Sequence, residues 1–148
     1  MGYSILGAIG SNILNLIFLA IFNIFVHTIF TLATGVQPGH GLPNPITDPA
    51  AFSLGMYTFL AAMMLSGIAS GLLSHHFLRT PPAWAGFQSC SALPMVILMN
   101  HLRMRPLAPG EPSHGFYIAC CIMTVLLGSV SAVLRAPPSS RSSSLYPK

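Results

Sequence analysis

Charge is what this chain has least of. Two acidic and six basic side chains are spread over 148 residues, 5% in all, where a soluble domain carries about a quarter. None at all falls between Met1 and Thr47. The basic residues form no cluster or stripe, which argues against a nucleic-acid surface. Cysteine is scarce too: Cys90, Cys120 and Cys121 all lie in apolar stretches. An odd number of such thiols is no disulfide framework, and no ligand-spaced partners surround them.

What remains is hydrophobic: 53% of the residues, with a mean hydropathy of +0.70. After Asp48 the charges are Arg79, Arg103, Arg105, Glu111, Arg135, Arg141 and Lys148, leaving apolar runs at 49–78, 80–102 and 112–134. Each is near the ~20 residues a helix needs to cross a bilayer. Charges are costly at the bilayer centre, so they collect where chains leave it. The fold expected is all-α and membrane-embedded: a single bundle of four transmembrane helices at about 3–32, 49–78, 81–102 and 113–134. A domain over 1–135 would end in a Pro/Ser-rich, disordered polar tail over 136–148. The first run has no basic leader and exceeds a signal-peptide core in length, so it reads as a retained anchor.

Punctuation supports these limits. The stretch TGVQPGHGLPNPIT, residues 34–47, cannot hold a long helix. Asp48-Pro49, Thr80-Pro81-Pro82 and Glu111-Pro112-Ser113 each set a polar residue ahead of proline, as helix starts do. That gives Asp48 and Glu111, the only carboxylates, the role of helix caps. Pro94 removes the donor for the Cys90 carbonyl and predicts a kink. Arg79, Arg135, Arg141 and Lys148 fall on one side of a four-span chain, and Arg103 and Arg105 on the other. The positive-inside rule then puts both termini in the cytoplasm.

The second helix repeats small residues every four positions: Ala62, Ser66, Ser70 and Ser74, beside Gly67 and Gly71. Such a face lets two backbones approach closely in lipid. Ser66, Gly67, Ser70, Gly71 and Ser74 are therefore expected at a helix interface, at the bundle centre or at a seam with another copy or another membrane protein. Ala132, in the fourth helix, is expected to face lipid.

Polar residues within apolar runs are the candidate site. Asn12, Asn15, Asn23 and His27 fall within an arc of about 120° on the first helix, so that face points into the bundle. It either fixes packing by hydrogen bonds or lines a small polar cavity. The four-span layout brings His27, His40, His101, His114, Asn100, Asp48 and Glu111 to one side. His75 and His76 stand with Arg79 at the other, as interfacial anchors. His101 and His114 flank a short loop and are the candidate catalytic pair, with Asn12, Asn15, Asn23, His27 and Asn100 as binding residues. Histidine there suits proton transfer, with metal or haem as lesser alternatives. No metal site and no cofactor are expected.

Two stretches, AFSLGMYTFLAAMMLSGIASG (51–71) and MNHLRMRPLAPGEPSHGFYIACC (99–121), resemble small four-helix membrane proteins of the DoxX-like group. The resemblance covers roughly the last two thirds of the chain and implies a four-helix bundle. It departs at Tyr57, where members often carry Arg, and at Asn100, where they often carry an acid. The layout is also similar to the four-helix endoplasmic-reticulum scaffold of ergosterol synthesis, which implies tethering of enzymes. Three functions follow as expectations. The first is a multi-pass accessory or scaffold protein for enzymes of lipid-soluble metabolites, in the endoplasmic reticulum ahead of the mitochondrial inner membrane. The second is a membrane enzyme, oxygenase or isomerase, on a small apolar molecule. The third is a small subunit of a respiratory or other large complex. The partners expected are the bilayer, other membrane proteins or a second copy through helix two, and an apolar small molecule.

Overall fold

Helix starts and stops in the computed structural model follow the local chemistry of the chain. It describes residues 2–35, 45–78, 80–103 and 106–135. His40, Arg79, Arg105 and the tail over 136–148, all part of the sequence expectations, lie outside them. Helix α1 (Gly2–Thr34) holds no proline and no charge. It stops where Gly35 turns to φ +69° and its N–H reaches the Thr31 carbonyl at 2.9 Å, a left-handed closure that glycine adopts without steric cost. Helix α2 (Pro49–Phe77) starts under Asp48, whose side chain accepts from the Ala51 N–H at 3.0 Å. This is the capping role expected of it.

The third apolar run forms two helices, α3 (Pro82–Cys90) and α4 (Ala92–Leu102), parted at Ser91. The kink expected at Pro94 thus appears three residues earlier. The proline ring crowds the turn preceding it and leaves that turn one donor short. Thr80 does not cap this segment: Pro81 holds the cap position without a side-chain hydrogen bond. Helix α5 (His114–Arg135) is capped by Ser113, whose Oγ accepts from the Phe116 N–H at 3.3 Å. Glu111 therefore does not cap α5, as the sequence had suggested; it lies three residues too early and is engaged elsewhere.

The five helices, with no strand among the described residues, pack α1 on α2, α5 against α2 and α3, and α4 on α5. Leu19, Leu60, Met63, Tyr117, Cys120 and Cys121 form the core, with Phe22, Phe59, Leu93 and Ile97 against it. The closest approach is made by glycines. A Cβ on Gly67 would fall 2.8 Å from the Thr124 carbonyl oxygen. One on Gly71 or Gly86 would collide with the Gly128 carbonyl. Ser66, Ser70 and Ser74 are buried beside this seam, each donating to a carbonyl of its own helix at 2.8–3.2 Å. The glycines of the α2 small-residue face thus meet α5 of the same chain, and Gly86 of α3 meets α5 beside them. Ala132 also belongs to this seam; it is buried against Gly86 and does not face outward.

Three helical stretches, Ile5–Thr34, Pro49–Ser74 and His114–Arg135, are long and apolar enough to cross a membrane, as a multi-pass membrane protein requires. Ala92–Leu102 is apolar but short. The outward face of α1 is almost wholly aliphatic, with Ile9, Ile13, Ile17, Ile21 and Ile24 half exposed or more.

Candidate functional site

The loop between α4 and α5 builds the site. Ala108-Pro109-Gly110-Glu111 is a tight turn closed by the Glu111 N–H on the Ala108 carbonyl at 3.0 Å, with Gly110 at φ +79°. Proline at the second position and a left-handed glycine at the third are what a type II turn needs. The Glu111 side chain folds back over this turn. Its Oε2 accepts from the Ala108 N–H at 2.9 Å, and its Oε1 accepts from the Tyr117 hydroxyl at 3.2 Å. The turn rests on the start of α2, so that a Cβ on Gly110 would lie 3.0 Å from the Pro49 carbonyl.

With the loop so held, the last turn of α4 faces the first turn of α5. His101 and His114 approach Nδ1 to Nδ1 at 3.1 Å, with ring centroids 5.3 Å apart and planes at 63°. His101 is buried, 2% exposed, and stacks on the Tyr117 ring at 3.8 Å and 18°. Tyr117, one turn beyond His114, also reaches the Met56 sulfur at 3.2 Å, tying α5 to α2. Two nitrogens at this separation cannot both carry hydrogen toward each other. One ring donates its Nδ1 proton and the other accepts it, so their tautomers differ. Once the donor ring has gained a second proton at Nε2, passing its Nδ1 proton across the pair exchanges donor and acceptor, a geometry suited to a short proton relay.

His101, Tyr117 and Glu111 also form part of the wall of a pocket of about 410 Å³. Phe52, Met56, Phe59, Leu93 and Ile97 supply its apolar lining, and Asn100 and Ala108 complete it. A mostly apolar concavity with a few convergent polar groups is the usual form of a small-molecule site.

The other candidate residues are placed elsewhere. His27 sits 3.3 Å from the Thr58 hydroxyl, which itself donates to the Gly55 carbonyl at 3.0 Å. His27 must then donate through Nδ1, so this contact joins α1 to α2. Asn12 donates to the carbonyls of Ala8 at 2.8 Å and Gln88 at 2.7 Å. It thereby serves the helix end next to the Ser91 break, as neighbouring helices do for interrupted membrane helices. The Oδ1 atoms of Asn12, Asn15 and Asn23 are buried without a hydrogen-bond partner among the described residues. Asp48 caps α2, and His76 lies exposed at the far end of that helix. Among the described residues, no three His, Cys, Asp or Glu side chains converge as metal ligands.

Tyr117, Phe52, Met56 and Phe59 were not singled out from the sequence. The spacing of three between His114 and Tyr117 places them on one helix face, and that signal was available. No family model, curated protein or solved structure matches this chain.

Proposed function

We propose that this chain is a membrane-embedded enzyme that moves a proton within a small, uncharged, apolar substrate, an isomerase-type reaction. The observation that carries the reading is the His101–His114 pair, held Nδ1 to Nδ1 at 3.1 Å with His101 in the wall of an apolar pocket. His101 takes the proton from a substrate carbon, and the electron pair of that C–H bond moves into the adjoining π system. The proton returns at a different carbon, and His114 exchanges protons with His101 during the cycle. Nothing is oxidised or reduced, so the residues present suffice. Phe52, Phe59 and Met56 hold the apolar body, and Asn100 offers an amide at the mouth.

The membrane setting belongs to the same proposal. Pro82–Leu102, taken as α3 and α4 together, spans about 31 Å at ~1.5 Å per residue, the thickness of a hydrocarbon core. It serves as the third of four crossings. Both termini then lie on one side, the cytoplasmic side by the arginine and lysine count, and the endoplasmic reticulum is the proposed membrane.

The test is purification in mild detergent, mass spectrometry of co-purifying small molecules, and incubation of the recovered compound in deuterated water. Wild-type protein should place deuterium only at the two carbons between which the proton moves, while His101→Ala should place none. Recovery of a stoichiometric protein partner without an apolar small molecule would favour the second reading, an accessory or scaffold protein. One observation favours that alternative: the largely aliphatic outward face of α1, which offers a partner more area than the α2 serines, already buried within the chain.

A further inference from the structure

A second pocket, of about 190 Å³, lies where α1 passes the broken third segment, walled by Asn12, Asn15, Leu16, Leu93 and Val96. Leu93 is common to this pocket and to the one beside His101. Its volume is several times a water molecule's ~30 Å³ share, and all of its lining except the two asparagines is apolar. Asn15 is 2% exposed, and no hydrogen bond holds its amide among the described residues. Asn12 is more constrained. Its amide nitrogen donates to two carbonyls, which fixes its orientation and leaves Oδ1, a pure acceptor, without a partner among the described residues. A buried amide oxygen in an apolar setting is costly when unsatisfied, and two belong to residues lining this pocket.

We infer that this pocket takes the hydroxyl end of an uncharged, bilayer-dissolved alcohol. The single O–H donates to the fixed Asn12 Oδ1, and Asn15, whose amide no other bond holds among the described residues, turns its Nδ2 to donate to the hydroxyl oxygen. Depth and charge select the ligand class. Ala92, at the pocket wall, is midway along Pro82–Leu102. With that segment as a crossing, the pocket lies near mid-bilayer, out of reach of a phospholipid headgroup. No charged side chain lines it, so a neutral donor fits and an ionic one does not. Leu16 and Val96, 50% and 66% exposed, flank the opening and leave room for the apolar remainder to extend into lipid. This assignment rests on the proposed crossing of α3 and α4 and not on the isomerase chemistry.

The test uses full-length protein in phosphatidylcholine vesicles and two photoactivatable probes. One is a medium-chain primary alcohol with a diazirine near its hydroxyl; the other is its methyl ether. Mass spectrometry should find the alcohol attached at Leu16, Leu93 or Val96, with the ether labelling those residues about tenfold less, as befits one lost hydrogen bond. Asn15→Leu should reduce alcohol labelling to the ether level. Val96→Phe, on an exposed position that tolerates bulk, should block both probes and serves if Asn15→Leu does not fold. Equal labelling by alcohol and ether, or labelling unchanged in Asn15→Leu, would mean that water satisfies the amides, and would overturn the inference. So would labelling confined to residues outside the pocket.

Discussion

Tyr117 links the two halves of the candidate site. Its ring is the surface on which His101 stacks, and its hydroxyl holds Glu111 under the loop. Tyr117→Phe keeps the ring and removes the hydroxyl. It should lower stability by about 1–2 kcal/mol, read as a thermal melt in detergent, while His101 stays in place. His114→Ala breaks the relay without touching the pocket wall. Turnover of the recovered substrate should fall by ~10²–10⁴-fold with expression and melting temperature near wild type. A fall in turnover that merely follows a fall in folded protein would show the pair to be a packing contact. At this scale the sequence is uneven evidence. The shortness of the 103–111 loop makes the approach of His101 and His114 readable. The position of Glu111 is not readable in that way, because Glu before proline has the pattern of a cap. Its engagement depends on a turn closing back onto Ala108, which only the three-dimensional chain shows.

Among the elements, α5 decides the packing. Its buried residues Tyr117, Cys121, Thr124, Gly128 and Ala132 recur at spacings of three and four, and the stripe meets α2 and α3 at the glycines. Gly71→Leu would drive a side chain into the Gly128 carbonyl, and backbone cannot move aside as a flexible side chain does. The expected loss is at least the ~1–3 kcal/mol of ordinary overpacking. Ala119→Leu, on an exposed position of α5, should be nearly silent in the same melt. Comparable loss from both would place the seam elsewhere. The helices themselves were legible, because apolar run length and proline punctuation act locally. The face that each helix turns inward was less so. Ser, Gly and Ala every four residues mark a close contact without naming its partner, and Ala132 is too small and neutral to declare its side.

For the whole molecule, the number of crossings hinges on α3 and α4, since α1, α2 and α5 are each long and apolar enough to cross a bilayer unaided. If the broken segment crosses, tags at Met1 and Lys148 face the same side. Both should be cut by protease added to sealed microsomes, while a cysteine introduced at Arg103 should resist a membrane-impermeant thiol reagent. If α3 and α4 dip in and return, the tags fall on opposite sides, and the four-crossing arrangement is wrong.

The serines of the α2 seam give their hydroxyl protons to carbonyls of their own helix, and so they contribute shape to the seam and no hydrogen bond across it. Over generations Ser66, Ser70 and Ser74 can therefore drift to alanine or cysteine with little penalty, whereas Gly67, Gly71, Gly86 and Gly128 cannot drift freely. Descendants of this protein would shed the polar pattern that makes its second helix conspicuous and keep four glycines on three helices. Kinship to it would be carried by those four positions.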